Sequence, residues 1–176
     1  MSAADMRTPG DAAVSADATR VPGDTVVSAD AARVPANAGD VEKLGKALSA
    51  EHAAVFAYGL IGARTTGALR ARVTTAFDAH RARRDQLRTL LTSRGARPAE
   101  PAASYALPLI PSTASQAITL AVHVETGVTA AYLELAAAQD LTLRKYAALA
   151  MQESAGRSYA FQPKITTAFP GMPGGA

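Results

Sequence analysis

The chain predicts an all-α fold, a left-handed four-helix bundle with a long crossover between its second and third helices and a disordered arm in front. Three observations carry that prediction. Hydrophobic residues make up 48% of the chain, but aromatics are only 5% and Trp is absent, so the core must be built from small side chains on closely packed helices. Four segments repeat apolar residues at helical spacing, and a proline-rich stretch separates the second from the third. Near the middle of each segment, an acidic or imidazole side chain stands on the otherwise apolar face.

Residues 8–20, TPGDAAVSADATR, are followed by VPGDTVVSADAAR at 21–33 and then by VPANAGD, a tandem repeat of 13 residues. The repeat has no large apolar side chain to bury and restarts at a proline each time, so residues 1–39 read as a disordered arm. Its plain reading is a linker, with a docking peptide as the alternative.

Asp40 is the expected N-cap of the first helix, in which Leu44, Leu48, Glu51, Val55, Tyr58 and Gly62 share a face through about Thr65. Gly67 interrupts the pattern. Leu69, Val73, Phe77, His80, Arg84, Leu87 and Leu91 then mark the second helix, which stops at Arg94-Gly95. Pro98, Pro101, Pro108 and Pro111 keep residues 95–111 out of helix.

Ser112 or Thr113 can cap the third helix, with Ile118, Val122, Glu125, Val128 or Thr129, Tyr132 and Leu135 inward. Asp140 caps the fourth, with Leu143, Tyr146, Ala150, Glu153, Arg157 and Phe161 inward, and the bundle covers residues 40–162. Residues 163–176, ending PGMPGGA, form a flexible tail. The connector spans roughly 50 Å when extended, more than the ~40 Å length of a 26-residue helix, so it can carry the chain back along the bundle.

Glu51, His80, Glu125 and Glu153 should therefore meet in one layer inside the bundle. A di-iron or di-manganese carboxylate site takes one Glu from each of two helices and Glu-x-x-His from each of the other two. Glu51 and Glu125 stand where single Glu residues would be. Phe77 replaces the Glu three residues before His80, and Gly156 replaces the His three residues after Glu153. Arg84 and Arg157 lie one turn beyond His80 and Glu153, so guanidinium groups can supply the positive charge in place of metal. The salt-bridge network is the favoured reading. On it no cofactor is expected; the alternative gives Glu51, His80, Glu125 and Glu153 as ligands of iron or manganese.

Other candidates carry less. His52 and His123 are each offset by about 100° from the inward face. No Gly-x-Ser-x-Gly turn supports a nucleophilic triad. Tyr58, Tyr132 and Tyr146 read as core residues about two turns from the cluster, each with a hydroxyl seeking a polar partner. The second helix carries Arg70, Arg72, Arg81, Arg83, Arg84, Arg88 and Arg94 against Asp78 and Asp85, which reads as a solvated face, with contact to nucleic acid or another polyanion as the alternative.

The net charge is +3, and residues 1–40 hold three Arg against six Asp, so the remainder is mildly basic. Absence of Cys excludes disulfides, thiolate metal sites and cysteine nucleophiles. Neither an apolar leader nor a run of ~18 apolar residues is seen, so the expectation is a cytoplasmic protein with no membrane contact. Ala53, Ala57 and Gly59 around His52 and Phe56 form a small-residue flank on the first helix, where a homo-oligomer, most simply a dimer, is expected to form.

The run Ala50-Glu51-His52-Ala53-Ala54-Val55-Phe56-Ala57-Tyr58-Gly59, with Ala79-His80-Arg81-Ala82-Arg83-Arg84-Asp85, resembles an uncharacterised ferritin-like domain family of actinobacteria. Tyr105-Ala106-Leu107-Pro108 and the helix around Glu125 are similar to it as well. The resemblance covers about residues 41–162. It implies a ferritin-like four-helix bundle and carries no established reaction. The wider ferritin-like superfamily has two Glu-x-x-His motifs and this chain has neither, which argues against ferroxidase activity and iron storage.

Overall fold

A computed structural model describes residues 37–164. The repeat arm, apart from its last few residues, and most of the C-terminal tail lie outside the described residues. Those described form four helices, α1 (Ala38–Gly62), α2 (Gly67–Ser93), α3 (Ala114–Ala136) and α4 (Leu141–Phe161), with no strand among them. No described helix is long and apolar enough to cross a membrane.

The helix ends follow local chemistry. Thr113 caps α3 by accepting from Gln116 N, and Asp140 caps α4 by accepting from Thr142 N. Gly67 and Gly95 both adopt positive φ, 54° and 75°, at the start and just past the end of α2, where a Cβ would be strained.

The first cap departs from the sequence expectation. Asn37 takes that role, its side chain accepting from Gly39 N, and α1 begins two residues before Asp40. Asp40 is instead buried, and its two carboxylate oxygens accept from Gln139 N and Asp140 N at 2.8 and 3.0 Å. It satisfies backbone donors at the entrance to α4, a long-range role that no local pattern reveals. Arg94 at the end of α2 closes the same corner with a 2.6 Å bond to Asp140.

The closely packed helix pairs are α1 with α2, α1 with α3, and α3 with α4. Contacts at successive levels make α1 and α3 antiparallel: Lys46 meets Glu134, Glu51 meets Tyr132, and Tyr58 meets Glu125. The seam between α2 and α4 is looser, crossed by Arg83 to Glu153 and by Arg72 to the carbonyl of Ala160.

Residues 94–113 run along α1. His52 Nε2 lies 3.2 Å from the carbonyl of Ala99, Phe56 stacks at 5.5 Å on Tyr105, and Arg64 donates to the carbonyl of Pro111. The connector thus covers His52 and Phe56 on the α1 flank where a second copy was expected, while Gly59 stays exposed. Burial beneath it holds the His52 pKa below the usual imidazole range.

The apolar core falls into two clusters. One centres on Leu44, Leu48, Leu87, Leu91, Tyr132, Leu135 and Leu143; the other on Tyr58, Ile61, Val73, Leu120 and Phe161. Between them lies a polar layer.

Candidate functional site

Glu51, His80 and Glu125 form that layer, each with a relative exposure of 0%. They reach it because each stands on the buried face of its helix, α1, α2 or α3, where most of the other buried residues are apolar. His80 sits between the two carboxylates: Nδ1 lies 2.7 Å from Glu51 Oε2 and Nε2 lies 3.1 Å from Glu125 Oε1. A neutral imidazole donates from one nitrogen only, so two carboxylate acceptors select the imidazolium. Burial works against that charge, but the hydrogen bonds to Glu125 and Glu51 prevail and raise the His80 pKa to about 9.

Arg157 reaches in from α4. Its Nε donates to Glu125 Oε1 at 2.9 Å and a terminal nitrogen donates to Ser154 Oγ at 2.9 Å. Burial would raise the Glu125 pKa, yet His80 and Arg157 together hold it below the usual carboxylate value. Two carboxylates thus face one imidazolium and one guanidinium, and the layer is close to charge-neutral.

Two tyrosines complete it. Tyr58 donates to Glu125 Oε1 at 2.5 Å and Tyr132 to Glu51 Oε1 at 2.7 Å. Burial, reinforced by the adjacent carboxylates, holds both phenols protonated far above their usual range. Sequence reasoning set these residues two turns from the cluster, whereas they are bonded to it. The signal was present: Glu51 and Tyr58 are seven residues apart in α1, as are Glu125 and Tyr132 in α3. When two such helices run antiparallel, each Tyr meets the other helix's Glu.

Glu153 and Arg84 do not join the layer. The Glu153 side chain is 50% exposed and pairs with Arg83 at 2.6 Å, while its neighbour Ser154 takes the fully buried position. The expected inward phase of α4 was one residue off there. Arg84 is partly buried and bonds its neighbour Asp85 at 2.9 Å, while Arg83 points across the α2–α4 seam, its guanidinium 5.0 Å from the Tyr146 ring centroid. The arginine stripe on α2 is largely paired, since Arg81 meets Asp78, Arg88 meets Glu100 and Arg94 meets Asp140. His123 is exposed.

The donor set does not fit a di-metal centre. Both imidazole nitrogens of His80 and three of the four oxygens of Glu51 and Glu125 are engaged within the chain, and a cation, Arg157, occupies one side of the layer. Among the described residues no group of three His, Asp or Glu side chains is placed to hold a metal ion. Glu125 Oε2 is buried with no hydrogen-bond partner, as is the hydroxyl of Tyr146.

A four-helix protein with a buried, internally compensated polar layer is the class that fold and site define. The chain belongs to the family described as domain of unknown function DUF4439, which matches residues 43–174. It is similar to the crystal structure of a conserved hypothetical protein, rv2844, from Mycobacterium tuberculosis, with 30% identity and a TM-score of 0.70 over 74% of this chain and 99% of that one. Among curated proteins none matches.

Proposed function

We propose that the chain is a ferritin-like bundle in which a charge network replaces the metal centre, and that it acts in the cytoplasm through self-association or partner binding rather than as an oxidoreductase. The observation that carries this reading is His80 held between Glu51 and Glu125, with Arg157 on Glu125. The imidazolium and guanidinium supply the charge that two cations supply in a di-iron or di-manganese site. Helix order supports the ferritin-like part: α2 and α3 are each antiparallel to α1 and are joined by a connector that runs along α1, as a long crossover between the second and third helices requires.

The surface for association in this reading is α4. Leu141 and Tyr159, five turns apart, lie on one line of the helix with Leu149 about 80° from it. All three are exposed, at 65%, 54% and 57%, and a second copy of the chain is the occupant we favour.

Metal analysis of protein purified without chelator, and again after anaerobic ferrous loading, tests the central claim. The expected result is no bound iron or manganese; two equivalents per chain would establish the metal-dependent oxidoreductase instead. Light scattering at micromolar concentration tests association. A dimer in the wild type that Leu149→Glu converts to a monomer is expected, and a wild-type monomer would remove this part of the reading.

A further inference from the structure

The α2–α4 seam leaves an open cleft of about 320 Å3, lined by Ala71, Arg72, Thr75 and Ala76 from α2 and by Arg157, Ala160 and Phe161 from α4. Its origin is in the sequence. On the α2 side the seam is made of Ala71, Thr75 and Ala76, on the α4 side of Ala160, and these side chains are too short to meet across a helix pair that is already the loosest in the bundle.

The walls are almost wholly apolar, and the cleft opens to solvent on the side of Ala71, Arg72, Thr75 and Ala160, which are all exposed. The size is that of a small-molecule pocket. Two cations stand in the lining, and they differ in what they can offer. Arg157 is committed to Glu125 and Ser154. Arg72 donates from one terminal nitrogen to the carbonyl of Ala160 at 2.7 Å and has no carboxylate partner among the described residues. It is the cation with capacity for an anionic ligand.

We infer that this cavity binds a small monocarboxylate with an apolar body, such as a medium-chain fatty acid, its head group on Arg72 and its body against Ala71, Ala76, Ala160 and Phe161. A single available guanidinium fork matches a carboxylate in charge and in planar bidentate geometry. A phosphate would need more positive charge than Arg72 alone supplies. The inference does not rest on the reading of the polar layer, because it places the head group on Arg72 and leaves Arg157 on Glu125.

The test is a titration of the full-length, isotopically labelled chain with decanoate below its micelle concentration, and with decanol as the neutral control, following backbone amide resonances. Saturable shifts confined to residues 71–76 and 157–161 are expected, with decanoate binding at least about tenfold more tightly than decanol. Arg72→Gln should reduce decanoate to the decanol level, while Ala160→Leu, at an exposed helical position that tolerates leucine, should abolish binding of both. Thr75→Leu fills the cavity from the opposite helix and should do the same. Absence of shifts in those two segments, equal affinity for decanoate and decanol, or unchanged decanoate affinity in Arg72→Gln or in both filled variants would each overturn the proposal.

Discussion

Arg157 and Glu125 meet through one carboxylate oxygen, Oε1, which also takes the hydrogen bonds of Tyr58 and His80, while Oε2 of the same group is buried with no partner. The charge of Glu125 is thus gathered on its crowded side, where three donors from α1, α2 and α4 converge. Removal of Arg157 leaves that buried carboxylate short of positive charge. Arg157→Ala is expected to destabilise the chain by about 3 kcal/mol near neutral pH, part of it recovered on acidification as Glu125 takes up a proton. Arg84→Ala, at an exposed pair with Asp85, should cost less than about 1 kcal/mol. Chemical denaturation of both variants at pH 5 and pH 7.5 checks the pair of values, and equal stabilities would remove Arg157 from the network.

His80 makes stability depend on pH in a definite direction. Its pKa rises from 6.5 to about 9 on folding, so the folded state binds the proton more tightly. The contribution is complete below pH 6.5 and is lost as the pH climbs through about 9. Glu125 has the opposite sign: its pKa is lowered from 4.5, so its contribution is present above that value and disappears as the pH falls through the folded pKa. Denaturation midpoints from pH 3 to 10 should form a plateau with both limbs, and His80→Gln should flatten the alkaline one. Nitrogen NMR of the ring at pH 7 should find both positions protonated.

The three tyrosines should separate cleanly. Tyr58→Phe and Tyr132→Phe each withdraw a donor from a buried carboxylate and should cost about 1–3 kcal/mol. Tyr146→Phe removes a hydroxyl that is buried without a partner and should be neutral or slightly stabilising. Thermal melts of the three variants would decide this; a large loss in Tyr146→Phe would contradict it.

Asp40→Ala leaves the amides of Gln139 and Asp140 without their acceptor and should lower stability by about 2 kcal/mol. Hydrogen exchange offers a sharper reading, because the protection lost should concentrate at the α3–α4 turn, far from position 40 in sequence.

Helix positions were legible because apolar spacing, Thr113, Asp140, Gly67, Gly95 and the four connector prolines are local signals. The inward phase of Glu51, His80 and Glu125 followed from the same spacing. Glu153 did not, because Ala150, Ser154, Ala155 and Gly156 around it mark no clear apolar face, and Ser154 fits the buried position with less desolvation than a carboxylate. The choice between Arg83 and Arg84, adjacent on α2, depended on what stands opposite each. That is tertiary information, as is the use of Asp40 by a turn some 100 residues away.

The reciprocal bonds from Tyr58 to Glu125 and from Tyr132 to Glu51 have a bearing on how such a chain finds a single structure. Alanine-rich helices present nearly uniform surfaces, and sliding one past another by a turn, about 5.4 Å, replaces one small contact with a similar one. The two Glu–Tyr pairs remove that degeneracy. A one-turn slip of α1 against α3 breaks both at once and strands two carboxylates in the interior, so the polar layer acts as a vernier that sets the register between the two helices.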